Sequence, residues 1–577
     1  MNPAQLLAHF DRISEAPNAV LRLRRFVLDL AVRGKLVEQD PNDEPASELL
    51  KHIQAEKAQL VKKGIFQEQK PLAPIKEEET DFDLPKGWKW VRMADVIKLW
   101  NGYAFQSGDF QAKGVPVIRI GDLQGGDVVL SSAVCVPEAI ANSVGPEVWI
   151  PPGALLIAMS GATTGKVAIN RTGVRLLLNQ RVGRIEVFLM SIDFIRIFLD
   201  TIVARNLSIS FGTAIPNLSA KQINETVVPF PPLAEQHRIV AKVDELMALC
   251  DRLEAAQAKK ENRRDRLVAA SLNRLNNGTD AQSFFEHARF HLSHLPRLTT
   301  RPAHIQQLRQ TLLNLAVRGQ LVHQDPNDEP ASELLKRIQA EKTHLIKEGK
   351  MKPQQPLPDL SDEDRPFSLP KSWAWVRLDY LAEKITDGEH LSPQKTATGM
   401  PLLTATHVTA KGVTLNNPQF VSIEDGHKCR QRCDPRRGDI LICSRGTIGR
   451  CAVVNTDETF CLMGSVILVR FPEQCTPAYI NYFLSTDRAQ LQMGGMSGAT
   501  AVHALYLKDI RLCPVAVPPL AEQHRIVAKV DELMTLCDEL GARISNTTAA
   551  RRQLLEANLH EALFGRPELN QEAPHAR

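Results

Sequence analysis

The sequence predicts an α+β protein: two mixed α/β modules held apart by an antiparallel pair of long coiled-coil helices, with a pseudo-twofold internal repeat. Three observations carry this. The chain contains itself twice, apolar heptads recur in two long segments, and short β-type runs fill the stretches between. Ala31–Lys51 (AVRGKLVEQDPNDEPASELLK) returns at Ala316–Lys336, changed only at Lys35/Gln320 and Glu38/His323, an offset of 285. Pro231–Asp251 (PPLAEQHRIVAKVDELMALCD) returns at Pro518–Asp538, changed only at Ala248/Thr535, an offset of 287. Constant blocks flanking variable stretches describe a frame that presents two different surfaces.

Taken in order, helices are expected near 20–35 and 46–63, and again near 305–320 and 331–348. The Asp40–Pro45 run (DPNDEP) breaks one helix and starts the next: the residue before a proline leaves the helical region, Asp43 can cap, and Pro45 suits a first turn. Pro- and acid-rich links follow at Pro71–Asp83 and Pro353–Asp362, and each leads into Phe-x-Leu-Pro-Lys-x-Trp-x-Trp-Val-Arg, at Phe82–Arg92 and Phe367–Arg377. Pro231-Pro232 and Pro518-Pro519 each launch a long helix. Ile239, Val243, Leu246, Cys250 and Leu253 are spaced 4, 3, 4, 3, and Ile526, Val530, Leu533, Cys537 and Leu540 repeat that seam. Continued to about Leu275 and Leu563, each helix would be roughly 60 Å long. The seams are natural partners for each other, and the plainer alternative packs each on its own module. The expected division is 1–84 (helical segment and linker), 85–230 (first module), 231–369 (central scaffold), 370–517 (second module) and 518–577 (last helix).

Composition narrows the function classes. At 577 residues the chain is too long for one core, and charged residues at 24% with hydrophobic ones at 43% are ordinary for a soluble protein. No apolar run is long enough to span a bilayer and the N-terminus lacks an export-signal pattern, so a cytoplasmic location with reduced thiols is expected. Seven of ten cysteines lie in the second variable stretch, but Cys429, Cys433, Cys443 and Cys451 match no paired metal spacing. Net charge is +4. Residues 85–230 hold 14 basic and 10 acidic residues, and 370–517 hold 16 and 13, so positive charge favours the modules.

Both modules carry matched landmarks. Gly114–Ile120 answers Gly399–Ala405, a turn followed by a buried strand. Ser160-Gly-Ala-Thr163-Thr-Gly165-Lys166 answers Ser444-Arg445-Gly-Thr447-Ile-Gly449-Arg450, each after an apolar strand. In such a loop hydroxyls and backbone amides can face a phosphate while the last cation adds charge; plain hairpin chemistry is the alternative. Thr213 and Lys221 answer Thr500 and Lys508. With Arg119, these are the candidate DNA-binding residues. The spacing around Gly161 and Lys166 is one residue short of a Walker A loop, and Val167 replaces its hydroxyl, so an ATP site is rejected. No GxGxxG, HExxH, GxSxG or Asp/Asn-Pro-Pro-Tyr/Phe motif is present, and no catalytic residue or metal site is assigned. His237 and His524, in identical helices, are expected to serve packing or an interface.

The duplicated AVRG[KQ]LV-x-QDPNDEPASELLK, LPK-x-W-x-WVR and PPLAEQHRIVAKVDELM blocks, with the Ser-x-x-Thr-x-Gly-basic loops, resemble the specificity subunits of type I restriction-modification enzymes, and the helical segment before the first module resembles the IB branch. The resemblance implies that the modules are target-recognition domains reading two parts of a bipartite asymmetric DNA site at a helix-set separation. It implies a non-catalytic chain, with S-adenosylmethionine, ATP and Mg on partners: two modification subunits and the restriction subunits. A coiled-coil adaptor whose modules bind protein is the alternative from another class.

Overall fold

A computed structural model describes residues 15–64, 72–161, 163–209, 218–278, 281–353, 355–496 and 504–564. The chain divides into two units: Met1–Lys259 with Thr548–Arg577, and Lys260–Thr547. The architecture is α+β with the expected repeat.

In the first unit, helices Ala19–Val32 and Ala46–Lys62 lead into strand Lys89–Arg92, which pairs antiparallel with Val227–Phe230 and so closes the module. Inside lies a six-stranded sheet in which Val182–Val187 sits between Ile97–Asn101 and Leu155–Ala158, and Val167–Ile169 follows. A four-stranded sheet holds Val115–Ile118 between Val134–Val136 and Leu176–Leu178. Leu155–Ala158 and Leu176–Leu178 are buried throughout, which is why they read as unbroken apolar runs rather than alternating ones. The second unit repeats the frame: helices Pro302–Val317 and Ala331–Lys347, strand Ala374–Arg377 paired with Pro514–Val517, and a four-stranded sheet containing Ile440–Cys443 against Cys451–Val453 and Val466–Arg470.

The three duplicated blocks touch one another in each unit. Glu235, 1% exposed, accepts hydrogen bonds from Trp88 Nε1 (2.8 Å) and Gln39 Nε2 (2.7 Å); Glu522 accepts from Trp373 (2.9 Å) and Gln324 (3.2 Å). Burial raises both carboxyl pKa values, and the tryptophan bond and a nearby arginine oppose that rise. Gly34 (φ +65°) and Gly319 (φ +70°) complete the joint, since a Cβ there would meet Pro85 Cγ at 2.4 Å or Pro370 Cγ at 2.7 Å. Asp43 does not cap the helix that follows it. Its carboxylate pairs with Arg238 at 2.6 and 3.1 Å, as Asp328 pairs with Arg525, and Pro45 stands at the N-cap instead. The arginine ending each Trp-Val-Arg run fixes the acidic link: Arg92 to Glu79 and the Glu225 carbonyl, Arg377 to Asp364 and the Leu512 carbonyl.

The long helices span Leu233–Asn276 and Leu520–Phe564, close to the expected ends. The first positions of each seam serve their own module: Ile239 and Val243 join the core of Trp88 and Phe230, and Ile526 and Val530 that of Trp373 and Tyr479. Cys250 is buried in the first unit, where Arg24 holds the adjacent Asp251 and Glu254. His237 and His524 are exposed, so packing is not their role.

Each unit also receives the end of a long helix. In the first, Leu555 and Leu559 pack on Ala16 and Ala19, and Lys35 Nζ donates to the Leu563 carbonyl at 2.6 Å. In the second, Val268, Leu272 and Leu275 pack on Leu298, and Arg318 Nη1 donates to the Asn276 carbonyl at 2.6 Å. A cation thus meets the negative end of both helices. Position 320 is glutamine where position 35 is lysine, and Arg318 takes over the contact. Arg33, the counterpart of Arg318, lies 4.8 Å from the Phe82 and Phe564 rings. Helix Ala281–Leu298, absent from the sequence expectation, packs beside this end of the long helix, where Ser271 meets its His291 at 3.0 Å; nearby, buried His304 of helix Pro302–Val317 meets Asp265 at 2.9 Å.

Candidate nucleic-acid interface

Both Ser-x-x-Thr-x-Gly-basic loops are β-hairpin connections. The first joins Leu155–Ala158 to Val167–Ile169, and the second joins Ile440–Cys443 to Cys451–Val453. Their amides are used internally: Gly165 N donates to Ala158 O and Lys166 N to Thr163 O, while Gly449 N donates to Cys443 O and Arg450 N to Thr447 O. Gly165 (φ +84°) and Gly449 (φ +81°) supply the left-handed step that closes each turn. The loops therefore offer side chains more than these amides to a ligand.

Those side chains differ between the modules. Lys166 is exposed. Arg450 is half-buried and donates from Nη2 to the Ala405 carbonyl at 2.7 Å. Thr163 Oγ1 approaches the Ile120 carbonyl at 3.5 Å, so in both modules the loop is tied to the turn that follows the landmark strand. Ser444 Oγ donates to the Gly464 carbonyl (3.2 Å), whereas the buried Ser160 Oγ has no partner among the described residues. Arg445 and Thr447 are exposed.

The third landmark joins the same end. Leu218 N donates to Met159 O at 2.7 Å and Leu505 N to Ser444 O at 2.9 Å. Lys221, 79% exposed, stands on the short helix Ala220–Glu225, and Lys508 on Leu507–Leu512. Thr213 and Thr500 lie outside the described residues. In the second module Ser444, Arg445 and Lys508 line one cleft of about 380 Å³ with His390, Tyr506 and Asp387. His390 pairs with Asp387 at 2.9 Å, and Tyr506 is 59% exposed. Neither His390 nor Tyr506 is marked by a sequence motif. Arg119 keeps only a 3.4 Å side-chain bond, to the Ser132 carbonyl, among the described residues.

Among the described residues no cluster of three His, Cys, Asp or Glu side chains could hold a metal, and no helix is long and apolar enough to cross a membrane. Cys433, Cys461, Cys475 and Cys513 are pushed up to about 12 by burial, which keeps them as core thiols.

Fold and site define a duplicated-module protein with a solvent-facing polar and basic end on each module. Residues 85–261 and 370–548 match the family model described as "Type I restriction modification DNA specificity domain", and the chain belongs to that family. It is 31% identical over 566 residues to the EcoEI specificity subunit of Escherichia coli, covering 94% of both chains, and 32% identical over 568 residues to the EcoAI specificity subunit of the same species, covering 93% of both. A solved chain from work on complex assembly and conformational transition of the type I R-M system shares the fold, with a TM-score of 0.51 and 19% identity over 84% of this chain and 99% of that one.

Proposed function

We propose that the chain supplies DNA sequence specificity to a type I restriction-modification assembly in the cytoplasm. Each module reads one half of a bipartite asymmetric site, and the long helices set the spacer. Two modification subunits and the restriction subunits are its partners. S-adenosylmethionine, ATP and Mg belong to those partners, and this chain binds none of them. The observation that carries the reading is the pairing of a nearly constant joint with two unlike polar ends: one frame presents two different surfaces, as two unlike half-sites require. Lys166, Lys221, Arg445 and Lys508 are the phosphate-facing cations; Arg119, Thr447 and the loop residues Ser160, Thr163, Gly165, Ser444, Gly449 and Arg450 complete the DNA-binding set, and Thr213 and Thr500 are assigned beside them from sequence alone.

The test is DNA binding by the full chain with its modification subunits. Sequence-selective affinity that falls steeply between 50 and 200 mM salt is expected. Binding that is indifferent to sequence, or absent, would favour the protein-binding adaptor.

A further inference from the structure

The two modules share one stretch of backbone closely. The pairing Met400↔Val421 repeats Val115↔Val136 at the 285 offset, and the tight turn Ala405–His407 repeats Ile120–Asp122. Even the bond that closes the turn is matched: Thr404 N donates to His407 Nδ1 at 3.1 Å, and Arg119 N to Asp122 Oδ2 at 2.8 Å. The backbone is therefore held constant while the side chains around it change. Arg119 becomes Thr404, Ser131 becomes Asn416, Ser132 becomes Asn417, and Val134 becomes Gln419.

In the second module these residues line a cleft of about 440 Å³ walled by Thr404, Thr406 and Thr414. Asn416, Asn417 and Gln419 are exposed, and no side-chain hydrogen bond holds their amides among the described residues. Asn417 sits at φ +49°, a left-handed position that asparagine tolerates better than most residues. The cleft also adjoins the hairpin loop, because Arg450 binds the carbonyl of Ala405, the residue after Thr404.

We infer that this cleft is the base-reading subsite of the second module, with Asn416, Asn417 and Gln419 setting its preference, and that Arg119 does the same work at the matching place in the first. The assignment rests on the DNA-reading function proposed above. Asparagine and glutamine amides pair bidentately with the N6/N7 edge of adenine, threonine methyls suit the thymine methyl, and an arginine fork suits guanine O6/N7. The second module accordingly reads A·T pairs at the cleft, and the first reads a G·C pair at Arg119.

Selection from duplexes randomised in both half-sites, with the full chain and its modification subunits at two salt concentrations, tests this. Asn416→Ala with Gln419→Ala should flatten preference at one or two adjacent positions of a single half-site, by about 5- to 150-fold per pair, the equivalent of one lost bidentate contact. The other half-site and the salt slope should stay as in the wild type. Arg119→Ala should erase a guanine in the half-site read by the first module, and Thr404→Arg should add a guanine preference to the half-site read by the second. Unchanged base preferences, or uniform weakening on all sequences, would overturn the assignment while leaving the DNA-reading function standing. A wild-type complex that selects no sequence at all would overturn both.

Discussion

The joint and the reading end of each unit obey opposite rules. At the joint, Trp88, Gln39 and Glu235 reappear as Trp373, Gln324 and Glu522 with the same atoms bonded. At the reading end the same turn carries Arg119 in one unit and Thr404 in the other. The difference teaches where substitution is tolerated. A buried carboxylate whose partners come from two other blocks cannot change alone, because each orphaned donor costs a desolvation penalty. A rim side chain in water has no such partners to strand.

The largest expected effect tests the sameness of the joints. Glu235→Ala and Glu522→Ala should each destabilise their own unit by about 2–4 kcal/mol, since each leaves a buried tryptophan N–H without its acceptor. Denaturant unfolding followed by peptide-resolved hydrogen exchange would show it. Unequal losses in the two units would break the equivalence.

A second prediction uses acid to separate the units. In the second module Asp434 is lowered to about 2: burial pushes it up, but the Lys384 bond and the charges of Arg470, Lys384 and Arg436 outweigh that. A depressed carboxyl stabilises above its unfolded pKa, and the gain is lost as pH falls through the folded one. About 2 kcal/mol should therefore disappear between about pH 4 and 2. The matching strand pair of the first module carries Lys98 3.4 Å over the Trp100 ring and Trp100 bonded to Glu186, with no such buried acid cluster among the described residues. Glu235 and Glu522, raised by burial, have the opposite sign and act alike in both units. The second unit should lose exchange protection first on acidification, and Asp434→Asn should abolish the difference.

The smallest effect concerns the loops. Lys166→Ala should reduce the slope of log affinity against log salt by about one and weaken all sequences alike. Arg450→Ala should instead disturb the second half-site, because it releases the turn carbonyl of Ala405. Identical behaviour of the two variants would mean that the inward bond of Arg450 is unimportant on DNA.

Much of this frame is legible in the sequence. Repeated blocks, proline breaks and heptads place helix ends within a few residues, and apolar runs place Leu155–Ala158 and Ile440–Cys443. What escapes is long-range bonding. Asp43 looks like a local cap, yet its partner Arg238 lies in another block. Arg450 looks like the twin of Lys166, yet it turns inward. Helix Ala281–Leu298 contains Pro296, a residue that ordinarily ends a helix, so local pattern does not reveal it. The base-facing rim is invisible for another reason: Asn416, Asn417 and Gln419 resemble any solvated turn until the strand register aligns them with Ser131, Ser132 and Val134.

The helix ends bear on synthesis. The first unit includes Thr548–Phe564, whose Leu555 and Leu559 cover Ala16 and Ala19 and whose Leu563 carbonyl takes Lys35. Ribosomes produce that segment only after the whole of Lys260–Thr547, roughly 15–60 s later at 5–20 residues per second. During that interval the nascent first unit exposes the apolar groove of its leading helix and leaves Lys35 without its carbonyl. The helix Ala19–Val32 is thus covered only after the second unit has been made, and that wait leaves it open to chaperones, proteases and mispairing with another copy.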